Sequence, residues 1–329
     1  MCKRVVHSSQ NIYYLCSVKK LSVIIPVHNR ADLLKHCLDS VAQQQWRPMQ
    51  VVIVDDGSTD ASQAVAIEWG QQVSAPDFEV KIISRKQQGA SAARRAGALQ
   101  ANGSVFAFVD SDDTLRREYS EAVMAAFEDA DTELVYWRQL GHFDSSRTRS
   151  FKFPRHVSMA NHVTHAVLNT LCCAVSCNLY FRSGGWDEAV SVWDDWELGI
   201  RYLSALRGNA VRINKTLTDA RLHGESITGR NYLSRKGRYR EALNAAERHA
   251  HQLPAPQRLE LSRLIAYKTA VLAAHYHREG DRDSARQTLQ RAIANLPDRR
   301  GRLILKIVFA YTRRGLRGAA IWALPLLIS

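Results

Sequence analysis

Three carboxylates lie at the end of a short apolar run in the middle of the chain. Residues 105–109 read Val-Phe-Ala-Phe-Val, and Asp110, Ser111, Asp112 and Asp113 follow directly. A short apolar run rich in β-branched and aromatic residues predicts a buried strand. Alternate side chains of an extended segment point the same way, so Asp110 and Asp112 can face one ligand. Their hard oxygen atoms suit Mg²⁺ or Mn²⁺ that bridges phosphate groups.

An acidic turn that caps the next helix is the alternative explanation of the same four residues. Either Asp113 or Thr114 could provide the cap, and Asp-rich turns are common. On their own these residues favour the turn. The motifs elsewhere in the chain reverse that preference.

The elements that would position these acids alternate between strands and helices. The predicted strands before the acidic run cover residues 21–27, 51–54 and 80–84. The predicted helices cover residues 32–45, about 60–69, and a segment that opens after Gly89. This alternation predicts an α/β fold with a parallel, doubly wound sheet, in which the strands deliver polar residues to one edge.

Polar residues follow three of the predicted strands, at residues 28–30, 55–60 and 110–113. The last of these ranges follows the apolar run 105–109. The convergence suits a nucleotide, because Asp56 can accept a hydrogen bond from a base N–H or a ribose hydroxyl, and Asp110 can accept one from the ribose. Gly89 and the helix start beyond it offer N–H groups to phosphates. Asx-turns and helix capping explain the acids at 55–60 equally well when each is taken separately. A dinucleotide site is disfavoured, because no Gly-x-Gly-x-x-Gly follows the first strand.

A second group of acids opens a predicted helix near residue 194. Leu198, Tyr202 and Leu203 give that helix an apolar face. The helix macrodipole favours negative charge in the first turn, so capping alone would account for Asp194 or Asp195.

Four motifs, in this order, resemble the family 2 glycosyltransferases of GT-A fold. They are Ser-Val-Ile-Ile-Pro-Val-His-Asn at 22–29, Val-Asp-Asp-Gly-Ser-Thr-Asp at 54–60, Gly-Ala-Ser-Ala-Ala-Arg at 89–94 and Asp-Ser-Asp-Asp at 110–113. The resemblance covers about residues 21–228. It implies a GT-A, Rossmann-like, mostly parallel sheet flanked by helices, and inverting transfer of a hexosyl or N-acetylhexosaminyl group from a nucleoside-diphosphate sugar.

The resemblance also implies roles for individual residues. Asp56 would hold the base, Asp110 the ribose, and Asp112 a divalent metal, Mn²⁺ or Mg²⁺. Asp195 would be the general base, in a helix start where Asp194 replaces the usual Glu. His223 would reach the metal or the diphosphate, and a solvated loop histidine is the alternative. The remaining residues expected at the nucleotide are Pro26, Val27, His28, Arg30 and Gly89.

Besides Asp194, two positions depart from the family's commonest pattern. His28 stands where Tyr is frequent, and Arg95 stands where Asn is frequent. Neither departure touches the expected metal ligands, so both concern contacts on the base side of the donor.

The charge of the chain is concentrated in its last hundred residues. Residues 230–329 contain 20 Lys and Arg against 7 Asp and Glu, whereas residues 1–229 are balanced, so the whole formal charge of +13 lies in this part. Such a tail predicts an anionic partner surface, either phospholipid or nucleic acid. The six cysteines lack metal-site spacing, and no secretory leader or membrane-spanning run is recognised. These features predict a cytoplasmic protein with reduced thiols.

The sequence predicts four segments. They are an N-terminal extension (1–20), the GT-A domain (21–228), a helical region (229–300) and a basic amphipathic tail (301–329). Residues 237–254 and 280–297 align at an offset of 43 and resemble tetratricopeptide units, although helical hairpins packed beside the catalytic domain are favoured over a peptide-binding array. The tail is expected to lie on anionic lipid without spanning it, and a helix packed on the core is the alternative.

These observations together predict a metal-dependent sugar transferase that uses a UDP-sugar and a glycan or lipid-linked acceptor. It would act in cell-surface polysaccharide or lipopolysaccharide biosynthesis, peripherally bound to the inner face of the cell membrane, with no nucleic-acid partner. The alternative from another class is a non-catalytic nucleotide-fold scaffold that binds membrane or nucleic acid through the basic tail. The set Asp56, Asp110, Asp112 and Asp195 argues against it, because a scaffold has no need of these acids.

Overall fold

The structure is a computed structural model, and it describes residues 3–8, 11–15, 19–142, 147–150, 153–221, 232–233, 236–316 and 323–328. The chain divides into two compact units. The sheet unit comprises residues 1–157, 167–191 and 201–226, and the helical unit comprises residues 158–166, 192–200 and 227–329.

Helices and strands alternate in the first half of the chain, and helices dominate the last third. The strands are β1 (Lys3–Ser8), β2 (Asn11–Leu15), β3 (Leu21–Val27), β4 (Met49–Asp55), β5 (Phe78–Ser84), β6 (Val105–Phe108), β7 (Thr114–Leu115), β8 (Thr132–His142), β9 (Thr148–Ser150), β10 (Cys173–Ser176) and β11 (Asn209–Arg221). The helices are α1 (Ala31–Ala42), α2 (Ser62–Val73), α3 (Ala90–Gln100), α4 (Tyr119–Ala126), α5 (Met159–His165), α6 (Cys177–Arg182), α7 (Asp194–Ala205), α8 (Lys236–Gln252), α9 (Ala255–Arg278), α10 (Arg282–Ala294), α11 (Arg299–Arg313) and α12 (Ala323–Ile328).

A nine-stranded sheet forms the centre of the sheet unit. Its strand order is β5-β4-β3-β6-β10-β8-β11-β7, and β9 pairs with β8. The strands β3, β4, β5, β6, β8 and β11 run in one direction, whereas β7, β9 and β10 run in the other. The predicted α/β fold with a mostly parallel sheet and a helical C-terminal region is therefore confirmed. The antiparallel hairpin of β1 and β2 lies outside this sheet.

The central strands are buried along their whole length. Every residue of β3 and β4 is buried, as expected for parallel strands that are covered on both faces. On one of these faces α1 buries Leu34, Cys37, Leu38 and Val41, which recur at helical spacing.

The predicted continuation of α1 to Gln45 is wrong, because the helix ends at Ala42. The side chain of Gln44 donates to the Ser40 carbonyl at 2.9 Å and to the Arg116 carbonyl at 3.0 Å. In a longer helix the Ser40 carbonyl would accept from the backbone N–H of Gln44. Here it accepts from the side chain of Gln44 instead.

Pro26 lies inside the central strand without disrupting it. It pairs in register with Val54 of β4, but the pairing of β3 with β6 ends at Ile24 and Phe108. Since peptide groups of alternate residues face opposite neighbours, Pro26 faces the side where β6 has already ended. Pro26 therefore lies where β3 no longer pairs with β6.

The helical unit has its own apolar core. Trp196, Tyr239, Leu264, Ile265 and Leu305 are among its buried side chains. The two sequence segments that align at an offset of 43 form α8 and α10. Helical hairpins packed beside the catalytic domain, favoured above over a peptide-binding array, stay a prediction.

The helix α11 presents two different faces. Ile304, Leu305 and Val308 are buried in the helical unit, which is the packed arrangement considered above as the alternative to lipid contact. Cations occupy its exposed face. In the described ranges we find no helix with the length and apolar character needed to cross a bilayer.

Candidate active site

The loop after β4 is built from its acidic residues. Asp55 Oδ1 accepts from the Ser58 N–H at 3.1 Å, which closes a tight turn. Asp60 accepts from the N–H of Ala31 at 3.1 Å and from the N–H of Ser62 at 2.9 Å, at the starts of α1 and α2. These two acids therefore serve turn formation and helix capping.

Asp56 has a different environment and is only 3% exposed. Its carboxylate accepts from the N–H of Gln88 at 3.1 Å and from the N–H of Gly89 at 2.6 Å, and Arg85 Nε lies 3.4 Å from Oδ1. The carboxylate thus fixes the loop that connects β5 to α3. The loop passes through Gly89 at φ +99, a conformation that favours glycine.

The Gly89 N–H is therefore donated to Asp56 in this structure. The first N–H groups of α3 beyond it, from Ala90 onward, have no acceptor within the helix and carry the positive end of its dipole. A helix start of this kind suits an anion in general, and the Gly89 N–H is already donated to Asp56 here.

His28 lies at the end of β3 in a defined tautomer. Its Nδ1 is 3.0 Å from the Asp56 carbonyl oxygen, which can only accept, and its Nε2 is 3.1 Å from the Gln87 side-chain nitrogen, which can only donate. A proton on Nδ1 and a lone pair on Nε2 satisfy both contacts. Nearby, the Arg30 N–H donates to Ser62 Oγ at 2.9 Å at the start of α1. The ends of β3 and β4 are thereby tied together.

The acids after β6 form the second half of the edge. Arg94 on α3 is 6% exposed and donates to Asp110 Oδ1 at 2.6 Å. Its guanidinium also stacks over the Trp186 ring at 4.6 Å. Asp113 is buried and accepts from the Arg221 N–H at 2.9 Å. Asp110 and Asp112 are both partly exposed at the edge.

The carboxylates at this edge act on two buried neighbouring groups. Burial raises the pKa of Asp113, and the charges of Asp110 and Asp112 raise it further. Burial also raises the pKa of the Cys37 thiol on α1, and the same aspartates add to that effect. The charges of Asp110 and Asp112 thus reach both buried groups, while the Arg94 charge acts in the opposite direction on Asp113.

The donor chemistry of this edge fits a divalent ion that is shared with a substrate. Within the described ranges, we find no cluster of three or more His, Cys, Asp and Glu residues arranged as a complete metal cage. Mg²⁺ commonly binds through one or two carboxylates together with substrate phosphates. Asp110 and Asp112 match that pattern, whereas His223 lies outside the described residues.

Asp195 belongs to the helical unit, whereas Asp56, Asp110 and Asp112 belong to the sheet unit. It lies in the first turn of α7, and its Oδ1 accepts from the Trp196 N–H at 2.7 Å. The dipole of α7 favours its ionised form.

Two arginines at this edge were not anticipated from the sequence as site residues. Arg85, directly after β5, contacts Asp56, and Arg94 pairs with Asp110. The sequence contains a signal that could have marked both as site residues. Arg85 directly follows a predicted strand, and Arg94 is the last residue of the glycine-containing motif. Arg95, noted above as a departure, donates to the carbonyls of Gly184 at 2.9 Å and Trp186 at 3.1 Å and so supports a neighbouring loop.

The fold is that of the GT-A glycosyltransferases. Staphylococcus aureus TarS 1–349 superposes with a TM-score of 0.68 at 17% identity, over 91% of this chain and 89% of that chain. The mannosyltransferase PcManGT from Pyrobaculum calidifontis, described in complex with GDP-Man and Mn²⁺, superposes with a TM-score of 0.56 at 18% identity, over 94% of this chain and 87% of that one.

Residues 22–184 match Glycosyl transferase family 2, and through this domain the chain belongs to that family. The resemblance seen in the sequence is thus confirmed. Glycosyltransferase GlyA of Streptococcus pneumoniae is 38% identical over 104 residues, which are 32% of this chain and 14% of that protein. An uncharacterised glycosyltransferase of Nostoc sp. is 29% identical over 217 residues, covering 62% of this chain and 65% of that protein. The chain thus spans less than two thirds of these relatives' own lengths.

Proposed function

We propose that the protein is an inverting glycosyltransferase that moves a hexosyl or N-acetylhexosaminyl group from a nucleoside-diphosphate sugar to a glycan or lipid-linked acceptor. The observation that carries the proposal is the set of carboxylates at one edge of the sheet, Asp56 beside the β5–α3 loop and Asp110 and Asp112 after β6. A UDP-sugar is the first donor to test, because TarS 1–349 is described in complex with UDP-GlcNAc.

The donor lies along the carboxyl edge of β3, β4 and β6. Pro26, Val27, His28 and Arg30 line the end of β3, Asp56 accepts from the base, and Asp110 accepts from the ribose. The N–H groups of the first turn of α3, directly after Gly89, bind phosphate oxygens. Arg94 holds Asp110 in place for this contact.

The transfer step needs a base on the acceptor side of the sugar. Asp195 takes the proton from the acceptor hydroxyl as its oxygen forms a bond to the anomeric carbon. The bond from that carbon to the diphosphate breaks, and the diphosphate leaves with the electron pair. Attack opposite the leaving group inverts the anomeric configuration.

A divalent ion, Mn²⁺ or Mg²⁺, would be held by Asp112 with Asp110, and by His223 as a further ligand. When bound, it neutralises the charge that develops on the leaving diphosphate. PcManGT is described with Mn²⁺ and GDP-Man, which supports a metal-dependent donor site on this fold.

We place the reaction in cell-surface polysaccharide or lipopolysaccharide assembly at the inner face of the cell membrane. The support for membrane contact is the exposed face of α11, which carries Arg299, Arg302, Lys306 and Arg313. Residues 299–316 contain no Asp or Glu, so the helix does not neutralise its own charge. Anionic headgroups attract such a surface, by about 1 kcal/mol per cation near the membrane.

Donor hydrolysis tests the enzymatic proposal. The purified protein is incubated with UDP-, GDP- and dTDP-sugars in Mn²⁺ or Mg²⁺ and then in EDTA, and release of the nucleoside diphosphate is measured. We expect metal-dependent release from one donor class. Asp112→Asn should abolish this release. Asp77 is an exposed acid at the opposite end of the strands, and Asp77→Asn should match the wild type.

The base is tested with an acceptor present. Asp195→Asn should slow transfer by about a hundredfold to ten-thousandfold, which is the usual contribution of a general base. Donor binding should be unchanged. Near-normal transfer by this variant would remove Asp195 from the mechanism, and silence of the wild type with every donor would favour the scaffold alternative.

Co-sedimentation with vesicles tests the membrane proposal. The triple variant Arg299→Gln, Lys306→Gln, Arg313→Gln should lose binding to vesicles that contain phosphatidylserine. A control variant loses the same charge at other exposed positions, by Arg258→Gln, Arg282→Gln and Arg286→Gln. It should bind these vesicles better than the α11 variant. Equal loss of vesicle binding in both variants would show that net charge alone accounts for the binding.

A further inference from the structure

Lys268 lies midway along α9 and directs its ammonium group at the residues that flank Asp195. Its Nζ is 4.6 Å from the centroid of the Trp193 ring and 5.6 Å from that of Trp196. Asp195 lies between these two residues in the chain, and its charge acts on Lys268. All four residues belong to the helical unit. A cation is therefore held beside the first turn of α7.

A lysine is an unusual choice at this position if only packing matters. Its helix neighbours Leu264, Ile265 and Leu272 are buried in the apolar core. The lysine retains slight solvent exposure, but the protein surrounding its ammonium group lowers the pKa of Lys268 to about 8, against the opposing effect of Asp195. Methionine or leucine would fill the same space without desolvating a charge.

A buried histidine beside this turn adds no positive charge at neutral pH. His162 on α5 is fully buried, with Nε2 2.9 Å from the Trp196 carbonyl oxygen. Burial lowers the pKa of His162 to about 4, so the ring is neutral at pH 7. The remaining charged side chains of the α7 turn, Asp194 and Glu197, are acids.

The backbone at the start of α7 is held in a strained conformation. Trp193 has φ +57, in the left-handed region that bulky residues rarely adopt. Its ring packs against Tyr239 at 4.6 Å and against Trp196 at 5.6 Å. Strain of this kind persists where surrounding contacts fix the geometry, and it is concentrated at functional sites.

We propose that Lys268 is a positioning residue for the base, which keeps the Asp195 carboxylate ionised and fixed in orientation at the start of α7. The inference rests on the proposed function, in which Asp195 receives the acceptor proton. A nearby opposite charge favours the ionised carboxylate, and only that form can accept a proton. The C-terminal helices, beyond the residues that match the family, thereby become part of the catalytic apparatus.

Steady-state kinetics of three variants test this role. Lys268→Met keeps most of the side-chain volume and removes the charge, Lys268→Arg keeps the charge, and Lys215→Met makes the same change at an exposed site on β11. We expect Lys268→Met to lower kcat about tenfold or more, within the contribution of a general base, with the KM for the donor unchanged. Lys268→Arg should recover most of the loss, and Lys215→Met should match the wild type.

The pH profile separates positioning from simple structural support. Without the cation the Asp195 carboxylate is easier to protonate, so the acid limb of kcat should move to higher pH in Lys268→Met and return in Lys268→Arg. An unchanged acid limb in Lys268→Met would overturn the proposal. Equal losses of kcat in Lys268→Met and Lys268→Arg, together with equal falls in melting temperature, would also overturn it. Such a result would show that Lys268 gives structural support alone.

The controls distinguish failure of this inference from failure of the proposed function. If Asp195→Asn abolishes transfer while Lys268→Met behaves as the wild type, the inference fails and the function stands. If the wild type transfers no sugar, the interaction is still testable by ¹³C NMR titration of the Asp195 carboxyl. Its pKa should be higher in Lys268→Met, and equal values in the two proteins would refute the interaction.

Discussion

The stability of the helical unit should depend on pH through His162. This ring is fully buried on α5, and its Nε2–H donates to the Trp196 carbonyl. A Cβ added at Gly199 would lie 2.3 Å from Nε2, so the ring rests directly on the backbone of α7. Burial, together with the charge of Lys268 and against the Trp196 hydrogen bond, lowers the pKa of His162 from 6.5 to about 4.

The sign of the effect follows from proton binding in the two states. Between pH 6.5 and about 4 the unfolded chain binds a proton at His162 and the folded chain does not. Folding stability from this group therefore falls as pH falls through that window and is constant above it. The shift of His162 corresponds to about 3 kcal/mol when fully developed, at about 1.4 kcal/mol per unit.

Urea unfolding at several pH values between 4.5 and 7.5 measures this contribution. His162→Gln retains a donor near the Trp196 carbonyl but cannot titrate, and His165→Gln makes the same change at an exposed site on the same helix. We expect the stability difference between wild type and His162→Gln to shrink as pH falls, whereas His165→Gln should follow the wild type. Parallel curves for wild type and His162→Gln would refute the reasoning.

Two further predictions concern the sheet unit. A Cβ at Gly97 would lie 2.5 Å from Ile24 Cγ2, so Gly97→Ala should destabilise the protein by about 1–3 kcal/mol through overpacking, whereas Leu99→Ala on the exposed face of α3 should change little in the same urea assay. Burial acts to raise the pKa of Glu79, but hydrogen bonds from Lys20 and two amide side chains lower it to about 2. Its stabilising effect is therefore present above pH 4.5 and lost toward pH 2, and Glu79→Gln should flatten acid unfolding followed by circular dichroism.

The parallel arrangement of β3 to β6 could be predicted from the sequence because local patterns determine it. The strands β3 to β6 are short apolar runs separated by amphipathic helices, and right-handed crossovers leave few ways to arrange them. The carboxyl edge with Asp56, Asp110 and Asp112 follows from that arrangement. The end of α1 could not be predicted, because it depends on a side-chain contact between Gln44 and a distant carbonyl.

The environment of Asp195 was beyond sequence reasoning for a similar cause. Its α7 turn lies within the helical unit, and the cation beside it comes from α9, more than seventy residues further along the chain. No periodicity within either helix signals that interaction. The segment boundary expected near residue 228 stays a prediction, although the structure assigns residues 158–166 and 192–200 to the unit that holds the C-terminal helices.

Isothermal titration calorimetry of the protein with UDP, GDP and dTDP tests the central claim most directly, in Mn²⁺ and in EDTA. The account predicts that one nucleotide binds in a Mn²⁺-dependent manner, that Asp112→Asn loses the Mn²⁺-dependent part, and that Asp195→Asn binds as the wild type does. Absence of nucleotide binding by the wild type, or undiminished binding by Asp112→Asn, would contradict it.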